Sequence, residues 1–423
     1  MKLKLIEKIT NLLPKKKSIG NSVLVSLSKV FSSVFNLLFM IKAVNLLTRS
    51  ENGYLQYYLG FLPLILALAE FGLPSAIVKF LTPLTETKEE IGGILFSSLI
   101  MKFISFVLIL IGAAIISIVY QQDLVVMFLL VIGATTTSFL TFFESIFVSF
   151  REYKLLAFWN FLGNLIKLLI LYGADYYYPR VLGYEDILMI FCISPIFILF
   201  LFFVIFDDRK ISWTADKKLV KENLSRLALF NFWALLASLF AITSDRMEIF
   251  FLKYYFTPEL VAVYGTTLQL FSGFLILFST LNSLIFPKLS LLAGTEEFNK
   301  FLIRSFLGCL LVATILLPGI FLAEPVLTFL FNNKYSDSIP VFKILYPNYL
   351  LQLVFAPLGI ALFALGKPKI LAALAFIRLV FGLILDNLLI PELGVQGAAT
   401  AYFLGQIISW LVLTGYIWAI VLR

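Results

Sequence analysis

Residues 48–54 read TRSENGY, and residues 257–264 read TPELVAVY. Each stretch follows a long apolar segment, and the two lie about 209 residues apart, the same offset that separates Lys79 from Lys288. These matching residues lie in loops and at helix ends rather than in the Leu and Ile background. They therefore indicate an internal repeat, and two copies of one membrane unit are typical of carriers whose lobes face each other across a site.

The composition places nearly the whole chain in a membrane. Apolar residues make up 61% of the 423 residues, and charged residues make up only 14%. Because a spanning helix needs about 20 apolar residues, we expect an all-α polytopic membrane protein with about 12 transmembrane helices, in two pseudo-symmetric six-helix lobes around a central cavity. The expected spans are 18–47, 54–80, 92–119, 124–149, 155–178, 187–206, 224–254, 258–287, 300–323, 341–365, 369–390 and 394–420.

Polar stretches divide the chain into four parts. Residues 1–17 are basic and amphipathic, which predicts a short helix on the inner membrane surface. Residues 18–206 form the first lobe with spans 1–6, and residues 224–423 form the second lobe with spans 7–12. The polar stretch 207–223 between them is the predicted cytoplasmic linker.

The basic residues predict the orientation. One set of loops carries 22 Lys and Arg residues, whereas the opposite set carries only Arg49, Arg180, Lys253 and Lys334. Positive loops stay in the cytoplasm, so both termini and the linker are expected there, in a cytoplasmic (inner) membrane. The net charge of +8 reflects this asymmetry and contact with anionic lipid, and it does not indicate nucleic-acid binding.

Metal and disulfide chemistry are not expected. The chain has no His, and its two cysteines, Cys192 and Cys309, lie in separate apolar runs. They are interpreted as small buried hydrophobic residues. We therefore expect no metal site and no cofactor, apart from possible coupling to H⁺ or Na⁺.

Basic residues lie deep within several spans. Lys29, Lys102, Lys167 and Arg378 are near the middle of theirs, whereas Lys42 is near a helix end and can reach the interface. A charge at mid-bilayer costs several kcal/mol unless it meets water or a partner. Because the deep cations outnumber clear acidic partners, they favour a hydrated cationic cavity.

Acidic residues within the spans are candidates for ion coupling, and the set is Glu70, Glu144, Asp245 and Asp386. For Glu70 and Glu144, a buried salt bridge to Lys29 or Lys102 is an equally good interpretation. Asp245 is followed directly by Arg246 and can form a local ion pair with it, with Glu248 one turn further on.

Polar side chains recur along single helical faces. Asn36 follows Lys29 at seven residues, Asn160 and Asn164 precede Lys167 at helical spacing, and Gln269 precedes Ser272. Such faces line a cavity or form hydrogen bonds between packed helices. Serine and threonine faces alone would favour packing, and the deep cations favour the cavity.

Four phrases resemble a known group of membrane proteins. Residues 46–81 resemble the first signature of polysaccharide flippases, residues 244–270 resemble the start of their second lobe, and 324–338 and 384–409 resemble later segments. The chain is thus similar to the multidrug/oligosaccharidyl-lipid/polysaccharide (MOP) superfamily, and within it to Wzx-like oligosaccharide flippases.

The resemblance implies a V-shaped pair of lobes that rocks between inward-open and outward-open states. It also implies a substrate with a polyprenyl tail, a diphosphate and an oligosaccharide, and no enzymatic activity. The residues implied to receive the diphosphate are Lys29, Lys102, Lys167, Arg246 and Arg378. Asn36, Asn164 and Gln269 are the candidates for contact with sugar hydroxyls, and a polymerase or glycosyltransferases are possible partners.

Three rival functions differ in sequence signals. A multidrug exporter of the same superfamily would have an acidic cavity. A major facilitator carrier would have a Gly-, Asp- and Arg-rich turn, which 82–93 lacks. A membrane polymerase of lipid-linked sugars would have a large outer loop. A Gly-rich ATPase phosphate loop is absent from the sequence.

Overall fold

The computed structural model describes residues 16–81, 88–178, 182–205, 217–293 and 295–420, and these residues are almost entirely helical. The helices in chain order are α1 (Lys16–Leu46), α2 (Arg49–Glu70), α3 (Leu73–Leu81), α4 (Lys88–Val119), α5 (Leu124–Ser149), α6 (Tyr153–Tyr177), α7 (Tyr184–Ile205), α8 (Lys217–Tyr255), α9 (Pro258–Leu270), α10 (Ser272–Leu292), α11 (Glu296–Leu316), α12 (Ala323–Phe331), α13 (Ser338–Ala364) and α14 (Pro368–Ile420). A 3-10 turn, Leu317–Leu322, joins α11 to α12.

Each span expected from the sequence falls on one of these helices or on two consecutive helices separated by a short break. Within the described ranges, nine stretches are long and apolar enough to cross a membrane. One of them, α14, contains two of the expected spans. The break between these spans is at Gly394, where the backbone departs from helical geometry (φ 57°, ψ −128°). The chain folds back there, since Gly405 lies directly against Gly382. The all-helical membrane fold is confirmed, and the element order is consistent with twelve spans.

The repeated TRSENGY and TPELVAVY stretches mark helix starts. Thr48 and Glu51 form a reciprocal cap, in which the Glu51 carboxylate accepts from the Thr48 backbone N–H at 2.9 Å and the Glu51 backbone N–H donates to the Thr48 hydroxyl at 3.2 Å. Thr257 precedes α9, whose first residue is Pro258, a residue well suited to a first helical turn.

Two boundaries differ from expectation. Helix α8 begins at Lys217, so the end of the expected 207–223 linker is helical, and its first part lies outside the described residues. Residues 1–15 of the basic segment also lie outside them. The second span is broken at Phe71 and Gly72, which have φ of 48° and 67°. Gly72 accepts this left-handed geometry readily, and Asn231 of α8 packs against it.

The two halves of the chain pack within themselves and against each other. In the first half α1 packs on α6, and α5 packs on α2 and α7; in the second half α14 packs on α8, and α13 packs on α10, α11 and α14. The halves meet where α2 crosses α9 at the predicted outer side, and where α4 meets the start of α8 at the predicted inner side. At the inner contact the Ser97 hydroxyl donates to the Val220 carbonyl at 3.2 Å.

The contact between α2 and α9 is here called the outer seam. A Cβ atom at Gly53 would overlap the backbone carbonyl of Pro258, so the two helices approach as closely as glycine allows. Asn52 is fully buried in the seam and donates to the Thr266 hydroxyl and the Tyr335 hydroxyl, both at 2.8 Å. The seam therefore joins the halves through close backbone contact and satisfied polar groups.

Ionic contacts surround the seam. Arg49 and Asp337 form an ion pair at 2.6 Å. The Lys334 ammonium donates to the carbonyls of Val44 and Leu47 at the end of α1, where unpaired carbonyls favour a cation. Partial burial lowers the pKa of Lys334 below its ordinary value. These bonds link the first half of the chain to the turn before α13.

Candidate functional site

Among the described residues, three neighbouring cavities share wall residues. The central pocket, of about 300 Å³, is lined by residues of α1, α2, α7, α8, α9, α10, α13 and α14. The N chamber, also about 300 Å³, lies between α1, α5, α6 and α7, and the C chamber, about 570 Å³, lies between α10, α13 and α14. Asn36 lines both the N chamber and the central pocket, whereas Phe278 and Gln352 line both the central pocket and the C chamber.

The N chamber holds the polar face of α6. Lys167 is 5% exposed and donates to the Asn36 side-chain carbonyl at 2.7 Å, and its ammonium lies 4.0 Å from the centre of the Phe191 ring. Asn164 donates to the Ser32 hydroxyl at 2.8 Å. The helical spacing of these residues thus brings α6 and α1 together through polar contacts in the wall of the chamber.

An acidic residue also lines the N chamber. Glu144 of α5 is in its wall, and Lys29 of α1 is close enough to interact with it electrostatically. The Lys29 side chain is exposed, and this lysine is one turn from Ser32 on α1. Lys29 therefore has a nearby carboxylate, which is the salt-bridge interpretation left open by the sequence.

The central pocket is lined by amides and aromatic rings. Gln56 accepts from the Gln269 side chain at 3.3 Å and donates to the Asn52 side chain at 3.2 Å. This chain of side chains connects the pocket directly to the outer seam. Tyr349, whose ring stacks on Phe271 at 4.6 Å, forms part of the wall.

Asp245 pairs with Arg378 rather than with the adjacent Arg246. The Arg378 guanidinium lies 2.5 Å from the Asp245 carboxylate and 5.2 Å from the centre of the Tyr402 ring. When the Gln406 amide is oriented with its oxygen toward the Arg378 guanidinium, that oxygen accepts two hydrogen bonds from it, at 3.0 and 3.1 Å. Asp245 is 43% exposed and faces the central pocket, whereas Arg378 is largely enclosed.

Arg246 differs from the other deep cations. It lines the central pocket and is half-buried. Among the described residues, no hydrogen bond or ion pair of its side chain is observed. Since an Arg presents five N–H donors in a planar fork that suits phosphate oxygens, this residue has open capacity for an anion.

Lys102 does not line any of these three cavities. It is 3% exposed and donates to the backbone carbonyl and the hydroxyl of Ser138, at 2.8 and 2.5 Å, between α4 and α5. The rings of Phe139 and Phe142 flank its ammonium, and Glu70 is close enough to interact with it electrostatically. The surroundings of Lys102 are those of a helix-packing residue, so the cavity site is built from the other cations.

A second group of carboxylates is buried in the second half of the chain. Glu248 of α8 and Asp386 of α14 are fully buried, and they are electrostatically coupled. None of their four carboxylate oxygens has a hydrogen-bond partner among the described residues. The Tyr264 hydroxyl, also fully buried and without a partner there, is close enough to interact with both. Buried polar groups rarely remain unsatisfied, so a proton or small cation suits this position.

The excess of unmatched cations expected from the sequence is smaller in the structure. Lys29, Lys102 and Arg378 each have a carboxylate nearby, and Lys42 forms an ion pair with Asp175 at 2.6 Å. Lys167 and Arg246 have no ion pair with a carboxylate among the described residues. Positive charge available to an anion is therefore concentrated at these two residues.

Sequence reasoning missed several wall residues. Gln56, Gln352, Tyr349 and Tyr402 lie in otherwise apolar helices and do not form a polar face, so their periodicity is weak. Glu248 was noted only as a neighbour of Asp245. Its position three residues after Asp245, together with a second intramembrane carboxylate at Asp386, was the available signal. In the described residues no group of three or more Cys, Asp or Glu side chains suits a metal ion, and both cysteines are buried free thiols.

Comparison with known proteins places this arrangement in context. The model of the polysaccharide biosynthesis protein family matches residues 18–293. The probable low-salt glycan biosynthesis flippase Agl15 of Haloferax volcanii is 25% identical over 194 residues, which cover 44% of this chain and 41% of that protein. A putative O-antigen transporter of Shigella flexneri is 26% identical over 198 residues, 45% of this chain and 46% of that protein. The matches thus span less than half the length of these relatives.

Solved structures share the fold across the chain. The lipid II flippase MurJ in an inward closed conformation has a TM-score of 0.66 at 15% identity, covering 95% of this chain and 87% of that one. An inward-facing multidrug resistance MATE family transporter of the MOP superfamily has a TM-score of 0.65 at 16% identity, covering 93% and 96%. These likenesses establish the fold.

Proposed function

The chain belongs to the polysaccharide biosynthesis protein family and has the fold of MOP superfamily transporters, and from that premise we propose that it is a flippase for polyprenyl-diphosphate-linked oligosaccharides. The substrate's head group enters the cavities between the two halves and is released on the other side of the membrane. Alternating access by rocking of the halves requires no covalent chemistry, so the protein acts as a transporter rather than an enzyme.

The observation that supports this proposal is the open donor capacity of Arg246 in a pocket connected to a polar chamber. A diphosphate that leaves water needs charged donors to replace its hydration. Arg246 supplies such donors in the central pocket, and Lys167 donates to Asn36, which lines both that pocket and the N chamber. Arg378 contributes indirectly, because it holds Asp245 away from Arg246.

The amide-rich walls suit a sugar chain. Asn36 and Asn164 in the N chamber and Gln269 in the central pocket offer both donors and acceptors, as sugar hydroxyls require. Asn160 adds a buried side-chain NH₂ that has no partner among the described residues. The glycan therefore extends from the central pocket into the N chamber.

Ion coupling is proposed at Glu248 and Asp386, with H⁺ or Na⁺ as the bound cation. Two ionised carboxylates repel each other strongly in a dry site, and one shared cation removes that repulsion. Glu248 is one turn from Asp245 on α8, and Asp386 is about two turns from Arg378 on α14. The same two helices thus carry the cation site and the Asp245–Arg378 pair, so binding at one affects the other. Glu70 and Glu144, near lysines, serve as structural partners in this scheme.

Asp386→Asn is expected to remove the response to an ion gradient. In proteoliposomes, transport by the unmodified protein should increase about tenfold under an H⁺ or Na⁺ gradient, which corresponds to about 1.4 kcal/mol of coupling. The variant should show gradient-independent exchange only. Separate gradients of H⁺ and Na⁺ identify the ion. Glu297→Gln, on the exposed start of α11, is the matched control. An unchanged response in Asp386→Asn would exclude this coupling site.

The cytoplasmic membrane, with both termini inside, is the proposed location, because the loops rich in Lys and Arg belong on the cytoplasmic side. A polysaccharide polymerase and glycosyltransferases that make and consume the substrate are the proposed partners. Lys29 and Lys102, with carboxylates nearby, are placed in supporting rather than anion-binding roles.

The proposed function is tested by reconstitution. Purified protein in vesicles should translocate a fluorescent polyprenyl-diphosphate oligosaccharide, as measured by access of a membrane-impermeant quencher. The rival function, export of multidrug-type cations, predicts that a cationic dye is transported instead. Transport of the dye without movement of the lipid-linked sugar would contradict the flippase proposal.

A further inference from the structure

The C chamber is the largest of the three cavities and has mostly apolar walls. Ten of its fifteen wall residues are apolar, and they include the rings of Phe278, Phe355 and Trp410. Phe355 and Trp410 stack in parallel at 5.2 Å. An added Cβ at Gly359 would meet no atom within 4 Å, so this glycine leaves open space in the wall.

The N chamber has a different chemistry. Nine of its eighteen wall residues carry polar side chains, and two of these, Glu144 and Lys167, are ionisable. Arg378, the single ionisable residue in the described wall of the C chamber, is occupied by Asp245 and Tyr402. Both chambers border the central pocket, and the described wall of the C chamber contains fewer ionisable side chains than that of the N chamber.

The C chamber shares part of its wall with the central pocket. Phe278 and Gln352 line both the C chamber and the central pocket, and Arg246 is in the wall of that pocket. An occupant of the C chamber therefore lies next to the pocket that Arg246 lines. The occupant that fits is the apolar portion of a molecule whose next portion is anionic.

We propose that the C chamber binds the isoprene units next to the diphosphate, while the rest of the tail remains in the bilayer. This inference rests on the proposed flippase function. A cavity of about 150 Å³ holds a benzene ring, so 570 Å³ holds about four groups of that size, or three to four isoprene units. The branched methyl groups and double bonds of these units pack well against aromatic rings.

Binding in this chamber gives the protein a means of selecting its substrate. Transfer of an isoprenoid from lipid to an apolar cavity yields little hydrophobic gain, because acyl chains are equally apolar. Shape therefore decides which chain enters the chamber. A branched, unsaturated chain fills the widened space beside Gly359, and a straight acyl chain leaves part of it empty and loses dispersion contacts.

Photolabelling tests the proposal independently of transport. A decaprenyl diphosphate with a diazirine on its first isoprene units is incubated with the full-length protein in nanodiscs, and labelled peptides are mapped by mass spectrometry. We expect labels on α10, α13 and α14 around the C chamber. Gly359→Phe, which fills the chamber, should reduce this labelling at least tenfold.

Gly415→Phe is the matched control. Gly415 lies on α14, is exposed, and also has no atom within 4 Å of an added Cβ, but it does not line the C chamber. Labelling should be unchanged in this variant, and thermal unfolding of both variants verifies their folding. Unlabelled decaprenyl phosphate should compete with the probe, whereas phosphatidylglycerol should not.

Two results would overturn the proposal: equal labelling in the unmodified protein and Gly359→Phe, or equal competition by phosphatidylglycerol, which would make the chamber an acyl-chain site. Failure of the flippase function is recognised separately, by absence of translocation in the unmodified protein. Translocation together with C-chamber labelling that Gly359→Phe leaves unchanged would disprove this inference alone.

Discussion

Arg246→Glu is expected to lower translocation of a lipid-linked oligosaccharide by about 100-fold. Removal of a charge-assisted hydrogen bond costs about 1.5–3 kcal/mol, and a new carboxylate in the central pocket adds repulsion of the diphosphate. A total of about 3 kcal/mol corresponds to about 100-fold. Arg246 has this influence because no carboxylate among the described residues is paired with it. The measurement is the initial rate of head-group translocation in proteoliposomes.

Two controls separate charge at this position from charge elsewhere. Arg246→Lys keeps the charge but loses the planar fork, so it should retain activity within about tenfold. Lys221→Glu makes the same charge reversal on the same helix at an exposed position and should transport normally. A rate for Arg246→Glu within twofold of the unmodified protein would show that the diphosphate binds elsewhere.

Gly53→Val is expected to open the outer seam and to slow transport. The new side chain would overlap the Pro258 carbonyl, which belongs to the backbone and cannot rotate away. Overpacking of this kind costs about 1–3 kcal/mol, which shifts the ratio of closed to open seam by about 5- to 150-fold. Spin labels at exposed Tyr177 and Tyr254, in opposite halves, should report a longer distance by double electron–electron resonance.

Gly173→Val is the matched control for this seam. Gly173 is also a helical glycine, on α6, but a Cβ there meets no atom within 4 Å. The control shares any intrinsic helix penalty of valine, and its distance distribution and transport rate should be unchanged. An unchanged spin-label distance in Gly53→Val would mean that the seam is not a moving contact.

The seam and the central pocket are also connected by hydrogen bonds. Gln269 donates to Gln56, and Gln56 donates to Asn52, which in turn contacts Thr266 and Tyr335. A sugar hydroxyl that binds Gln269 competes with this chain of bonds. Substrate binding and opening of the outer side therefore involve the same side chains. A substrate shifts the equilibrium between two states of a transporter only if its contacts differ between them, and these hydrogen bonds provide that difference.

Local patterns predicted individual helices well. Both stretches that indicated a repeat precede helices, with a capping box at Thr48 and a proline start at Pro258, because capping depends on residues a few positions apart. The face of Asn160, Asn164 and Lys167 lines the N chamber, and its role in substrate binding stays a prediction. Resemblance to the polysaccharide flippases was confirmed by the family match.

Charge partners were harder to predict. Depth in a span identified Lys102 and Arg378 as costly charges, but it did not reveal Ser138 or Asp245, which lie 36 and 133 residues away in the chain. From the sequence, Arg246 could form a local ion pair with Asp245, which directly precedes it. In the structure the Asp245 carboxylate pairs with Arg378 of α14, and Arg246 lines the central pocket.

Composition and periodicity were sufficient for the membrane class and the order of the helices, because these depend on bilayer thickness and on backbone hydrogen bonds between near neighbours. The arrangement of charges depended on how distant helices pack. Asp245 forms an ion pair with Arg378, Glu248 lies close to Asp386, and Arg246 lines the central pocket. Helix rotation and crossing bring together side chains that are more than a hundred residues apart in the chain.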